Sequence, residues 1–207
     1  MTLTAIEVNK MKYPQPTTEG VLPIILERWS PRAFADRDVS SSDLRTIFEA
    51  GRWAPSSYNE QPWRFFVGHR NSETYKKILD ALVPINQAWA KGAPVLILGV
   101  AKTRFSHNDS PNNYAAHDLG AAMALMALQA TALGLAAHQM AGFNWVKARE
   151  SFLIPETYTI GSVMALGYQG ELSELPQNFH AQEQSPRSRK PLSEIVWAEW
   201  DQPADLG

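Results

Sequence analysis

The chain has 207 residues, 44% of them hydrophobic and 19% charged: enough apolar material for one sizeable core, and not the composition of a disordered chain. Its formal net charge of -2, with no dense basic tract, excludes a general attraction to nucleic acid. The absence of cysteine removes disulfides, thiolate metal sites, iron–sulfur clusters and cysteine nucleophiles together.

In chain order, the opening MTLTAIEVNKMKYPQP lacks the apolar h-region of a secretory signal, which predicts an exposed arm over residues 1–20 of a cytoplasmic protein. Residues 22–29 (LPIILERW) read as a short helix with Pro23 in its first turn. The stretch SSSDLRTIFEAGRW offers Ser40 as a cap, with Asp43 three residues on. Leu44, Ile47, Phe48 and Gly51 share one face, and Pro55 ends the helix. RFFVGH (64–69) predicts a strand. SETYKKILDAL predicts a helix capped by Ser72, with Tyr75, Ile78, Leu79 and Leu82 as its buried stripe.

APVLILGVA (93–101) is a continuous apolar run of the kind buried inside a sheet. The segment HDLGAAMALMALQATALGLAAH (117–138) is too interrupted, by His117, Asp118, Gln129 and Gly134, to span a membrane; it predicts a central, buried helix over about 113–133. GLAAHQM (134–140) and SVMALGYQ (162–169) predict two more buried strands. Between them NWVKARESFL predicts a helix capped by Asn144. With no repeat or linker, residues 21–207 read as a single domain, a mixed α/β or α+β layered fold in which helices cover a central sheet.

Common catalytic signatures are missing. There is no phosphate loop of the G-x-x-x-x-G-K type, no G-x-G-x-x-G after a strand and no G-x-S-x-G elbow. His69, His107, His117, His138 and His180 form no H-E-x-x-H pair and sit in no carboxylate cluster with ligand spacing, so no metal site is expected. A polar constellation without nucleophile or metal suits a protein whose difficult chemistry belongs to an organic cofactor.

Three polar clusters remain. In RWSPR, Arg28 and Arg32 flank Ser30 and Pro31 where a helix ends, either converging on one anion or standing as two surface arginines. In RSRK, Arg187 and Arg189 alternate, so an extended chain points both the same way, toward an anion or simply into solvent. The third cluster, WAPSSYNEQPWRF (53–65), carries Ser56, Ser57, Asn59 and Gln61 on a loop that Pro62 and Trp63 pin to the following strand. It is either a capped turn or a loop that reads a heterocycle with amides and hydroxyls.

RWSPRAF (28–34), then APSSYNEQPWRF (54–65), then RSRKPLSEIV (187–196), in that order and at those distances, resemble the FMN-dependent nitroreductase family, over roughly residues 20 to 197. The resemblance implies a mainly antiparallel central sheet flanked by helices, in a homodimer whose C-terminal tail, after Leu192, wraps the partner. It implies two interfacial FMN sites. Arg28, Ser30 and Arg32 would lie at the phosphate and ribityl end, and Arg187 and Arg189 would complete the phosphate grip. Pro55, Ser56, Ser57 and Asn59 would arrive from the partner subunit, with Gln61 holding their loop in shape. Met140, Ala141 and Gly142 would line the flavin edge, the Gly142 N–H facing N5.

The activity implied is hydride transfer from NADH or NADPH through flavin N5 to a nitroaromatic, quinone or similar acceptor, by a ping-pong mechanism with no catalytic side chain. The alternatives are a flavin-fragmenting or dehalogenating enzyme of the same fold, or a flavin-binding dimer without turnover. Ala141 stands where many relatives carry an acid, and neither Lys76 nor Lys77 is assigned to the pyrimidine edge. Phe105 and Tyr114 are substrate-pocket candidates in the loop where relatives vary most, with core or surface packing the alternative.

Overall fold

The computed structural model describes residues 18–206, so most of the arm expected over 1–20 lies outside the described residues. Four strands form one antiparallel sheet in the order β1 (Trp63–His69), β2 (Val95–Lys102), β4 (Tyr158–Gly167), β3 (Ala136–Met140). Side chains alternate along β2. Leu96, Leu98 and Val100 face one core with α3 (Glu73–Ala81), α4 (Pro84–Ala90) and α6 (Trp145–Phe152). Val95 and Ile97 face the other, with α2 (Ser41–Arg52) and the long α5 (Ala115–Ala132). Burial on both faces is why β2 reads as an unbroken apolar run.

The predicted caps form as expected. Ser40 accepts from the Asp43 N–H, Ser72 from the Tyr75 N–H and Asn144 from the Lys147 N–H. At Gly51 an added Cβ would fall 2.7 Å from the Met126 side chain, so the glycine lets α2 lie close on α5. No helix among the described residues is long and apolar enough to cross a membrane.

Three features differ from the sequence reading. The strand expected from Ser162 begins at Tyr158, and a bulge accommodates the interruption: Gly161 and Ser162 together face Gly99 of β2. Helix α4 was not expected; Pro84 opens it in the first turn, where a missing N–H costs nothing. Helix α5 is not buried all round, because Ala116, Gly120 and Ala124, spaced four apart, are exposed. Beyond β4 lie short helical turns, among them α7 (His180–Glu183), and a small hairpin of β5 (Trp197–Glu199) with β6 (Gln202–Pro203), in a tail exposed at Leu192, Ile195 and Trp200.

Candidate functional site

Helix α1 (Pro23–Glu27) ends just before Arg28, and the turn that follows is held from three sides. Arg187 donates to the carbonyls of Arg28 (3.0 Å) and Leu26 (2.5 Å). His138 on β3 places Nδ1 2.9 Å from the Pro31 carbonyl, which makes Nδ1 the protonated nitrogen, and its ring packs on Trp89 at 4.5 Å. The buried Glu183 carboxylate of α7 accepts from the Arg32 N–H (2.9 and 3.1 Å) and the Ala33 N–H (3.2 Å). Backbone conformation here is set by side chains from far along the chain, which prepays the ordering cost of a binding turn.

The turn carries concentrated positive charge. Burial lowers the Arg28 pKa, and the nearby Arg189 lowers it further. Arg187 is lowered by burial first and then by Arg28 and Arg189. Burial also pushes His138 down to about 4, with Arg32 and Arg28 adding to the effect while its bond to Pro31 opposes it. Among the described residues no carboxylate pairs with Arg28 or Arg189; Arg28 instead donates to Ser30 Oγ at 3.3 Å. Like charges gathered this closely repel one another, and an anion joining them relieves that cost. Beside them opens a cleft of about 360 Å³ whose walls include Ile25, Arg28, Ser30, Ala127, Ala137 and Gln139.

The loop at 55–61 is built to hold its shape. Tyr58 (φ 52°), Asn59 (φ 55°) and Gln61 (φ 49°) are all left-handed, a strained run that needs external support. The support is specific: the Ser57 N–H donates to Asp118 Oδ2 (3.0 Å) and the Gln61 N–H to Ser56 Oγ (3.0 Å). The Gln61 amide donates to the Asn59 carbonyl (3.0 Å), so Gln61 does fix this loop. Glu60 accepts from the Ser106 N–H (3.0 Å) and hydroxyl (2.6 Å), which tie the loop to residues 102–114. The side chains of Ser57 and Asn59 have no hydrogen bond among the described residues, and Asn59 is exposed.

Loop and arginine turn are not neighbours within one chain. The loop meets α5 at Asp118 and the cleft meets it over Ala124, Ala127 and Leu128, a separation of about 9–15 Å along the helix axis. The structure therefore brings Arg28, Ser30, Arg32, Arg187 and Arg189 together and sets Pro55, Ser56, Ser57, Asn59 and Gln61 apart from them.

At the end of β3, Met140 is buried and Ala141 exposed. The Gly142 carbonyl accepts from the Val83 N–H and from Asn86 Nδ2, both at 3.0 Å, while its own N–H donates to nothing among the described residues. A Cβ at Gly142 would sit 2.6 Å from Asn86 Nδ2, so only glycine keeps this contact and leaves the N–H on offer. Phe105 is buried and meets Tyr58 edge-on at 5.5 Å, supporting the loop, whereas Tyr114 is 60% exposed at the start of α5. No group of three His, Asp or Glu able to hold a metal occurs among the described residues.

Sequence reasoning missed Glu183, His138, Asp118 and Asn86 as parts of the site. Each acts on backbone atoms of a distant segment, a role with no local sequence signal.

Comparison with known proteins places this geometry. The sequence model of the Nitroreductase family matches residues 25–87 and 81–168. A putative NADH dehydrogenase/NAD(P)H nitroreductase of Archaeoglobus fulgidus is 32% identical over 154 residues, covering 72% of this chain and 86% of the relative. A crystal structure described as an oxidoreductase containing FMN is 33% identical, with a TM-score of 0.80 and coverage of 96% of this chain and 97% of that one. A putative nitroreductase of Desulfovibrio desulfuricans, solved in complex with FMN, is 26% identical, with a TM-score of 0.70 over 88% of this chain and 98% of that one. The matched span runs from the start of the arginine turn to the end of β4, and the chain belongs to the nitroreductase family.

Proposed function

We propose that the chain is an FMN-dependent oxidoreductase that uses NADH or NADPH to reduce a nitroaromatic, quinone or similar small acceptor. The observation that carries this reading is the arginine group of Arg28, Arg187 and Arg189 beside a cleft that Arg28 lines, with no carboxylate on Arg28 or Arg189 among the described residues. A phosphate of charge near -2 is the complement such a group favours.

FMN, when bound, supplies hydride acceptance and donation at N5 in two successive half-reactions. The chain's residues would orient it and the reactants. Arg28, Ser30 and Arg189 would hold the phosphate and ribityl end. Arg187 would act mainly through the backbone of the turn, since its guanidinium reaches the Leu26 and Arg28 carbonyls, and Arg32 would face the ring. The Gly142 N–H, with Met140 and Ala141 beside it, is an unused donor for N5. No side chain need move a proton, since water reaches an acceptor in an open cleft.

The active unit in this reading is a homodimer. The distance between loop and arginine turn along α5 supports a site in which Pro55, Ser56, Ser57 and Asn59 serve the partner's cofactor. The exposed small residues Ala116, Gly120 and Ala124 allow a second α5 to approach closely, and the exposed tail after Leu192 would cover the partner.

The test is the visible spectrum of the purified protein, followed by anaerobic addition of NADH and NADPH separately. Yellow protein bleached by either nucleotide, then reoxidised by a quinone with its flavin recovered intact, is the expected result. Protein that stays colourless after incubation with FMN sinks the proposal. Bleaching without acceptor turnover would reduce it to flavin binding.

A further inference from the structure

Gln139 lies on β3, the edge strand of the sheet, and its side chain is exposed in the cleft that also holds Arg28 and Ser30. Its amide is oriented from behind. Ser162 Oγ stands 2.9 Å from Gln139 Oε1 and 3.4 Å from Met123 Sδ. A hydroxyl has one proton, and a carboxamide oxygen is a far better acceptor than a thioether, so the proton goes to Oε1. The oxygen end of the amide is thus occupied, and Nε2 of this cleft-lining residue donates to no acceptor among the described residues.

Ser162 alternates onto the same face of β4 as Met164 and Leu166 and sits in the β4 bulge, where two residues oppose Gly99. Bulges re-aim side chains and are common beside binding sites. The Gln139 side chain makes no other hydrogen bond among the described residues. An oriented pair of donors on an otherwise small and apolar wall (Ala124, Ala127, Leu128, Ala137) has no structural task of its own.

We infer that Gln139 is a cofactor-binding residue, donating from Nε2 to an acceptor oxygen of the flavin away from its phosphate, with Ser162 as the positioning residue that sets the amide. This rests on the FMN reading above. The contact discriminates by hydrogen-bond polarity: it accepts a ribityl hydroxyl or a ring carbonyl and disfavours a group that can only donate.

The experiment measures the Kd of flavin-stripped protein for FMN and for riboflavin, by quenching of flavin fluorescence. Gln139→Leu is expected to weaken both by the same factor, about 5- to 10-fold for one lost hydrogen bond. Gln139→Glu, which keeps the Ser162 bond and replaces the donors with an acceptor, should weaken both at least as much. Arg28→Ala, by contrast, should weaken FMN alone. A ring contact adds a shift of the flavin absorption bands in Gln139→Leu, and a ribityl contact does not; either supports the assignment. Unchanged affinities in Gln139→Leu, or a loss confined to FMN, overturn it. Because Gln139 is exposed on an edge strand, the unfolding midpoint of the stripped variant should match wild type. If wild-type protein binds neither flavin, the FMN reading fails and this inference with it. If wild type binds and Gln139→Leu binds equally well, only this inference fails.

Discussion

The Ser57 backbone N–H donates to the Asp118 carboxylate at 3.0 Å, joining a loop to the first turn of α5 across 61 positions of sequence. Asp118 is 2% exposed, and among the described residues its other oxygen meets only the exposed His117 imidazole, Nδ1 at 3.1 Å. A buried acid placed there serves the loop, which otherwise has three left-handed residues among four positions to support, Tyr58, Asn59 and Gln61. Asp118→Ala leaves the Ser57 N–H without a partner and should cost roughly 1–3 kcal/mol of stability. Asp118→Asn keeps an acceptor and should cost less. Hydrogen exchange separates the two: in Asp118→Ala the amides of Ser57 and Gln61 should lose protection selectively, and uniform loss across the sheet would argue against a role specific to the loop.

His138 gives the fold an acid limit. Burial holds its pKa near 4, below the 6.5 of a free imidazole, so the unfolded chain takes up a proton before the folded chain does. Its contribution is therefore fully present above pH 6.5 and is lost as pH falls from 6.5 toward 4, on the order of 3 kcal/mol over that window. Urea midpoints of flavin-free protein should decline across this range. In His138→Gln, which retains a donor for the Pro31 carbonyl, the decline should be shallower by a comparable amount. Parallel pH profiles for the two proteins would show that other groups control the acid limit.

How much of this was legible beforehand depends on whether the cause was local. Ser40, Ser72 and Asn144 were readable as caps because a cap bonds an N–H three residues away. The β2 run VLILGVAK was readable because burial on both faces leaves no polar residue to interrupt it. The arginine turn and the loop were readable as clusters of chemistry, and their resemblance to a known family assigned them roles. What could not be read was what holds them. Glu183 is one acid in a polar stretch, HAQEQS, and only folding carries it 151 positions back to the Arg32 N–H. Asp118 was noticed as a residue that breaks a membrane span; its contact with Ser57 depends on the tertiary fold. Ser162 was taken as the start of a strand, when the register places it inside a bulge.

Gly120 tests whether the open face of α5 meets a second copy. A Cβ added there would touch nothing within 4 Å, so the chain alone gives no reason for glycine in mid-helix, where it costs roughly 1 kcal/mol relative to alanine. In an isolated subunit Gly120→Leu should raise stability by up to that amount. In a dimer packed through Ala116, Gly120 and Ala124 it should do the reverse, separating subunits and lowering the unfolding temperature at low concentration. Sedimentation velocity of wild type and Gly120→Leu decides between them, and an unchanged oligomer with a stabilised fold would remove α5 from the interface.

The shared site has a sharper test in mixed dimers. Arg28→Ala removes a cation from the arginine turn, and the double variant Ser57→Glu with Asn59→Glu puts acids in place of two side chains that have no hydrogen bond among the described residues. Each change alone should empty both sites of a symmetric dimer. Suppose the two variants are unfolded together, refolded and separated by a tag on one of them. If each site takes its arginines from one chain and its loop from the other, the mixed dimer contains one site with both defects and one with neither. FMN occupancy should then recover to about half of wild type, with affinity at the surviving site unchanged. If loop and arginines of one chain serve the same site, every site in the mixed dimer carries one defect and binding stays lost. Recovery in the mixture, and in neither parent, is the expected result, because the loop and the cleft beside the arginine turn meet α5 about 9–15 Å apart along its axis.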